Sequence, residues 1–561
     1  MYPPAIVAER PDASAYVMAE SGLSITYREL DEQSNQLAHF WRAHGVAAGD
    51  TVVIVMENNI VWPVVMAAGM RSGLYVTPVN WHLKPAELAV LFEEAAPRAI
   101  VTSRAVADTV AEALARSGVT GGVTICADGH QERSLRSDQS SERSLRSDQS
   151  SERSLRSDQS SERSLRSDQS SERSLRSDQS SERSLRSDQS SRPGFATFDD
   201  VLAGQPTTPI ADELLGARVL YSGGTTGRPK RFAQQLLGVH PADAPQRHSG
   251  LVEKLGVDAS TRLLSPAPNY HAAPFTFTLI TLAAGGTVVC MERFDAAAAM
   301  KAIVRHQITH SQWVPTMLVR LLRLPERERI ALSPSHRVAF TSGAPCPVDV
   351  KEQILDWWGA ILHEYYGASE GYGHTYIGPD EVRDHPGSVG RPFGAARVRI
   401  VDADGAPVDD GVRGRVCFES TTPQTYDSAG EKAALRQMGD IGYLDDGYLY
   451  LVGREGFMII SGGVNIYPEE IEEVLLSHPD VIDAGVVGIP DPEFGESVKA
   501  VVETRPGSVL TDTGLIAFCR ERLAHFKAPR VVEFTDDMPR LPTGKLDKRS
   551  LTARFAQGEK V

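Results

Sequence analysis

Strand-length apolar runs alternate with helix-length amphipathic stretches along most of this chain, and that alternation constrains its fold more than any other feature. TVVIVM (51–56) and RAIVTS (98–103) read as strands, spaced by helical patterns at 27–44 and 84–95. Further on, strands at 286–291 and 337–342 alternate with helices at 295–306 and 315–323. This order implies layered parallel sheets covered by helices, an α/β fold class. With 561 residues there is room for two or three domains. The pattern changes near residue 453. The short strand YLYLV (448–452) is followed by a glycine-rich stretch, then by strands VIDAGVVGI and VKAVVE and helices at 468–476 and 513–524. The expected division is a large N-terminal domain of layered sheets and helices (1–452), a short linker (453–457) and a small C-terminal α+β domain (458–561).

One segment cannot join either core. Between residues 131 and 190 the decapeptide SERSLRSDQS occurs six times, with Gln131 replacing the first serine. Each copy is electrically neutral and offers a single leucine. On a helix, ten residues turn through about 1000°, so successive leucines drift around the axis and form no stripe. On a strand they share a face but are too sparse for a core. The composition predicts a disordered surface insert, with a solenoid or docking segment as the alternative. Excising it joins VTICADG (123–129) to FATFDDVLAG (195–204), which reads as a strand, a loop and a helix start.

The net charge of −15 argues against nucleic acid or anionic membrane as the main partner. Anionic ligands then need local donors. Cys126, Cys290, Cys346, Cys417 and Cys519 are scattered and form no CxxC pair, which argues against a zinc site or disulfide framework and fits a reducing cytoplasm. The first residues, MYPPAIVAERPD, lack the basic-then-apolar order of a signal peptide. The apolar run 60–70 is too short to span a bilayer, so cytoplasmic placement is expected.

Local donors are concentrated in YSGGTTGRPK (221–230). It follows the apolar run ARVL (217–220), which looks like the end of a strand. Glycines let backbone N–H groups crowd toward an anion, and hydroxyls and Lys230 add donors, so a polyphosphate is the natural ligand. The GxxxxGK[ST] spacing of a Walker A loop is absent. Composition alone fits a flexible turn equally well. The ordered string is more specific. It resembles the phosphate loop of the acyl-adenylate-forming enzymes, a superfamily of acyl-CoA synthetases, luciferases and peptide-synthetase adenylation domains.

Further segments match that family in order and cover nearly the whole chain outside the repeat. The resemblance implies that Ser222, Gly224, Thr225, Thr226, Gly227 and Lys230 hold the ATP phosphates. PAPNYHAAP (266–274) resembles the motif that puts a histidine, here His271, at the mouth of the acyl pocket. TSGAPCP (341–347) looks like the loop that packs on adenine, with Gly343, Ala344 and Pro345. EYYGASEG (364–371) implies that Tyr366, with Gly367 and Ser369, lies near the adenine and that Glu370 holds magnesium with Thr225 or Thr226. Such a site suits a hard cation that needs few carboxylates. Asp440, in MGDIGYLDDGYLYLVGR (438–454), matches the ribose carboxylate, and Arg454 matches an arginine that contacts the nucleotide. Gly462 and Gly463 match a glycine loop beside the pantetheine channel. Lys545, in RLPTGKLDKR (540–549), matches the lysine that reaches the reacting carboxylate and the α-phosphate. The implied catalytic set is Lys545, Thr226, Glu370 and His271, with ATP, Mg2+ and CoA as cofactor and co-substrates.

The chain departs from the family pattern in two places, at three residues. Gly223 replaces a hydroxyl residue of the phosphate loop, and Gly456 and Phe457 stand where the hinge usually carries charged residues. From residue 269 to residue 282 (NYHAAPFTFTLITL) there is no acid, lysine or arginine, which favours an acid with an apolar tail: fatty, aryl or steroid-like. The expected activity is therefore an ATP-dependent acyl-CoA synthetase, an acid–thiol ligase of lipid metabolism. Loading of a carrier protein and a non-catalytic scaffold displaying the repeat are the alternatives. The same motifs are shared by luciferase-like oxygenases. The partners implied are a small carboxylic acid, ATP and CoA, with no nucleic acid and no integral membrane segment. A homodimer is not legible in the sequence.

Overall fold

The computed structural model describes residues 3–127, 194–222, 230–244, 249–325, 333–344, 346–367, 372–394, 396–420, 425–426, 435–461, 464–491, 494–523, 525–541 and 545–556. The decapeptide repeat, the phosphate-loop residues 223–229 and residues 345, 368–371, 462–463 and 542–544 lie outside them. The chain divides into two compact units, one of residues 2–216 with 238–244, the other of 217–237 with 245–561.

In the first unit, five parallel strands run in the order Tyr75–Pro78, Thr51–Val55, Ala99–Thr102, Val123–Cys126 and Ala196–Thr197. Every residue of Ala99–Thr102 is buried, as expected of a parallel strand covered on both faces. The helix Tyr27–Ala43 begins at a capping box in which Glu29 N–H donates to Thr26 Oγ1 (3.2 Å) and Thr26 N–H donates to Glu29 (2.8 Å). The helix Trp62–Arg71 is buried along its whole length. Its terminal guanidinium, Arg71, would be costly there alone, and it is paired with Asp31 (2.9 Å) and Glu213 (2.8 Å). The strands on either side of the repeat, ending at Cys126 and starting at Ala196, are direct neighbours: Ile125 pairs with Ala196 and Cys126 with Thr197.

The second unit contains a seven-strand run in the order Arg391–Pro392, His374–Ile377, Leu362–Gly367, Val338–Thr341, His310–Trp313, Arg262–Ser265 and Thr287–Cys290. It is parallel from Thr287–Cys290 through Leu362–Gly367, and its last two pairings are antiparallel. The helices Ala272–Ala283, Ala296–Arg305, Pro315–Leu322 and Val348–Trp358 connect its strands. Ala296–Arg305 and Pro315–Leu322 lie within one or two residues of the pattern read from the sequence; the other two were not read as helices.

A separate sheet departs from a purely parallel reading. Ala396–Val401, Gly414–Ser420, Arg436–Asp445 and Tyr448–Arg454 form a separate antiparallel sheet with its own small core of Val389, Ile400, Val416, Phe418 and Leu449. Only Tyr448–Val452 of this sheet is legible as a strand in the sequence. The others are rich in arginine and glycine, which obscures a period of two. The last strand also runs on to Arg454, and a single 3-10 turn, Glu455–Phe457, follows it.

The C-terminal domain has its own sheet, Val464–Ile466, Ile459–Ser461, Gly495–Thr504 and Val481–Asp491, with Val531–Phe534 parallel to Gly495–Thr504. Ile459, Ile466, Ile471, Leu475, Val486, Leu515 and Cys519 fill its core against the helices Pro468–Leu476 and Asp512–Arg522. This is the mixed α/β architecture of a large N-terminal and a small C-terminal domain. Among the described residues no helix is long and apolar enough to cross a membrane.

Candidate active site

The site lies at the ends of strands of the second unit. The strand Leu362–Gly367 presents Tyr366 at its end and turns antiparallel into His374–Ile377, with Gly367 opposite His374. Gly367 is needed there, because an added Cβ would lie 2.5 Å from the His374 ring. The hydroxyl of Tyr366 donates to Asp440 Oδ2 at 2.6 Å.

Asp440 is placed by a hairpin. The strands Arg436–Asp445 and Tyr448–Arg454 are joined through Asp446 and Gly447, both in the left-handed region (φ 48° and 77°) that a two-residue Asp-Gly hairpin turn requires. An irregularity in register follows, so that Gly442 faces Leu451 while Ile441 faces Gly453. That one-residue shift brings Asp440 directly opposite Arg454. Arg454 Nε donates to Asp440 Oδ1 at 2.8 Å, so each carboxylate oxygen accepts one anchoring bond.

Lys545 completes the group from the C-terminal domain. Its carbonyl accepts from Leu541 N–H (2.8 Å), and Asp547 N–H donates to Pro539 O (2.9 Å), which closes the loop that carries it. Three residues on, Lys548 Nζ reaches Glu469 (2.7 Å) and Glu472 (2.9 Å) on the helix Pro468–Leu476 and ties the loop to that helix. The Nζ of Lys545 lies 3.5 Å from where a Cβ on Gly343 would be, and Gly343 has φ +89°, a conformation that favours glycine. Burial pulls the Lys545 pKa below the ordinary lysine value, the Arg454 charge lowers it further, and Asp440 opposes them. Two cations and one carboxylate thus share a partly buried spot, an arrangement suited to a polyphosphate anion.

His271 is the N-cap residue of the helix Ala272–Ala283 and is half-buried, its ring 4.2 Å from that of Tyr270. Along this helix Ala272, Thr276 and Leu279 are half-exposed at i, i+4 and i+7, while Phe275 and Phe277 are buried. The stretch carries no charge of its own, but a charge reaches it from elsewhere. Arg218, buried on the strand Ala217–Ser222, donates from Nη1 to Ala272 O (3.2 Å) and to the Thr276 hydroxyl. An arginine inside the apolar run ARVL was the available sequence signal for it.

The structure therefore brings together Gly343, Tyr366, Gly367, Asp440, Arg454 and Lys545, with Ala344 in the same loop as Gly343. The strands Ala217–Ser222 and Lys230–Gln234, on either side of the phosphate loop in sequence, pair antiparallel with Ser222 opposite Lys230. Gly224, Thr225, Thr226, Gly227, Pro345, Ser369, Glu370, Gly462 and Gly463 lie outside the described residues, as do the side chains of Ser222 and Lys230. Among the described residues no group of three or more His, Cys, Asp or Glu could hold a metal ion. Sequence reasoning missed the Tyr366–Asp440 bond and the Lys548 anchor. The acidic i, i+3 pair Glu469 and Glu472 was the available signal for that anchor.

The model of the AMP-binding enzyme family matches residues 5–424, and that of the AMP-binding enzyme C-terminal domain matches 470–545. A sulfoacetate–CoA ligase of Cupriavidus necator is 27% identical over 97% of this chain and 95% of its own length. A long-chain-fatty-acid–CoA ligase of Mycobacterium tuberculosis is 26% identical over 97% of this chain and 96% of its own. The crystal structure of ATP-bound MatB from Rhodopseudomonas palustris superposes with a TM-score of 0.76 at 24% identity, over 99% of both chains, a likeness of fold.

Proposed function

The chain belongs to the AMP-binding enzyme family, and we propose that it acts as an ATP-dependent acyl-CoA synthetase on a carboxylic acid with an apolar tail. The observation that carries this reading is the convergence of Lys545, Arg454, Asp440 and Tyr366 beside Gly343.

In the first step a carboxylate oxygen attacks the α-phosphorus of ATP. An O–P bond forms, the bond to pyrophosphate breaks, and acyl-AMP remains. Negative charge builds at phosphorus. The ammonium of Lys545 stabilises it in a spot where the charge is already partly desolvated. Asp440 accepts the ribose hydroxyls. A carboxylate has about four acceptor positions, so the bonds from Tyr366 and Arg454 fix its orientation and leave room for the sugar. That same bond fixes the Tyr366 ring beside the base. Magnesium arrives with ATP as part of the substrate, and Glu370 and Thr226 are its proposed protein ligands. In the second step the CoA thiol attacks the acyl carbon, its proton passes to solvent, a C–S bond forms, and the C–O bond to AMP breaks with AMP keeping the electron pair. Gly462 and Gly463 are proposed to line the path of the pantetheine.

The half-exposed stripe Ala272, Thr276 and Leu279, with His271 at its head, is the proposed wall for the acid. The two relatives' names, a sulfoacetate ligase and a long-chain fatty-acid ligase, span very different acids. The tail is therefore argued from this chain's own residues. The proposed division is a large domain to residue 452, a hinge at 453–457 and a small domain beyond.

Pyrophosphate release with ATP and magnesium tests the reading across fatty, aromatic, steroid, dicarboxylic, sulfonated and amino acids, each with and without CoA. Turnover is expected with an apolar acid and only in the presence of CoA. Turnover confined to doubly anionic or amino acids would contradict the proposed tail. A single burst that CoA does not release would transfer the second step to a protein acceptor.

A further inference from the structure

Lys545 works only if the C-terminal domain holds it against Gly343. Within the linker Gly453 packs on that domain, where an added Cβ would lie 2.8 Å from Glu469 and 2.9 Å from Tyr467. Gly456 has nothing within 4 Å of where its Cβ would be, and the Lys548 ammonium lies over the Phe457 ring at 5.8 Å. Further anchoring contacts lie outside the linker. Arg413 stands just before the strand Gly414–Ser420 of the antiparallel sheet, and its Nη1 reaches Glu470 Oε1 on the helix Pro468–Leu476 at 2.6 Å. Glu470 is held in turn by Lys527 of the C-terminal domain. Arg413 also lies over the Tyr467 ring at 5.9 Å.

On a second flank Arg323, which ends the helix Pro315–Leu322, donates from Nη2 to the carbonyl of Ile482. The neighbouring Asp483 is paired with Arg540, five residues before Lys545. Both anchors therefore run to the two elements that bracket Lys545: the helix that grips Lys548, and the segment that opens the lysine loop.

We propose that Arg413 and Arg323 are positioning residues for acid activation, fixing the C-terminal domain in the orientation that puts Lys545 into the site. This rests on the synthetase reading above. It makes a specific demand, because only the first step builds charge on phosphorus. Loss of the anchors must slow adenylate formation and spare the attack of CoA on finished acyl-AMP.

The test uses Arg413→Ala, Arg413→Lys, Arg323→Ala and the double alanine variant of the full chain. Acid-dependent ATP–pyrophosphate exchange reads the first step. Thioester formation from supplied acyl-AMP reads the second. Acetylation of Lys545 by an N-hydroxysuccinimide ester, followed by peptide mass spectrometry, reads the orientation with no substrate present. A half-exposed ion pair sustains a population shift of about threefold, so Arg413→Ala should lower exchange by about that factor and the double variant by about tenfold. The thioester step should hold within about twofold, Lys545 should label faster in the double variant, and Arg413→Lys should recover most of the loss. Equal slowing of both steps, or unchanged Lys545 labelling in the double variant, would overturn the assignment. Absence of exchange with every acid in the unaltered protein would count against the synthetase reading alone, since the labelling arm needs no turnover.

Discussion

A glycine and a lysine meet closely in the site. Gly343 holds φ +89°, and any side chain there would sit 3.5 Å from the Lys545 ammonium. Gly343→Ala should cost about 1–2 kcal/mol in backbone strain, so the protein should still fold. It should leave the ammonium in place, since 3.5 Å is an ordinary contact for a methyl group, and adenylate formation should change by less than about tenfold. Exchange kinetics beside a thermal melt would check both. Lys545 also predicts a pH limb. Its charge is disfavoured by burial and by Arg454, so the ammonium is lost below the ordinary lysine range. As pH rises through that lowered value, kcat/KM for ATP should fall. The limb in kcat should lie higher, since bound phosphates favour the charged form. An alkaline limb at the ordinary lysine value in both profiles would contradict this electrostatic account. The single residues were legible in the sequence because each sits in a short ordered string. The hydroxyl of Tyr366 on Asp440 was not legible, because 74 residues separate the partners and only the fold joins them.

At the scale of elements, the seven-strand run carries an acid-sensitive feature. His336, His363 and His374 lie in or beside its strands, and burial pushes each from the usual 6.5 down to about 4. A histidine buried in neutral form contributes stability that is complete above the unfolded value of about 6.5 and is lost as pH falls toward about 4. The melting temperature should therefore fall steeply between those limits, and His336→Gln should flatten part of the slope. A melting temperature constant from pH 7 to pH 4.5 would rule this out. Thr287–Cys290 and Val338–Thr341 were readable as apolar runs, and Ala296–Arg305 and Pro315–Leu322 as helical patterns, whereas polar strands such as His310–Trp313 were not read. The antiparallel sheet of residues 396–454 was largely hidden. Its strands Ala396–Val401 and Arg436–Asp445 mix arginine or glycine with apolar residues, and only Tyr448–Val452 was read as a strand.

For the whole molecule, the decapeptide repeat is the clearest departure from a compact fold in the sequence. Its flanking strands Val123–Cys126 and Ala196–Thr197 pair with each other, so removing 131–190 leaves a short crossover between adjacent strands. The deletion shortens the connection by about three halvings, each worth about 0.6 kcal/mol of loop entropy. The melting temperature should hold or rise slightly and turnover should be unchanged. Loss of folding would show that the repeat is structural. At this scale the sequence indicated a large domain followed by a small one, because each has its own run of strands and helices. It did not indicate what holds Lys545 in place, since Arg413 and Glu470 make their pair across 57 residues of chain with no local pattern. The central claim is that Lys545 serves acid activation and nothing later. The most direct measurement is Lys545→Ala assayed separately for acid-dependent pyrophosphate exchange and for thioester formation from supplied acyl-AMP. Exchange should fall by about 10²–10³ while thioester formation persists; an equal loss of both steps would contradict the account.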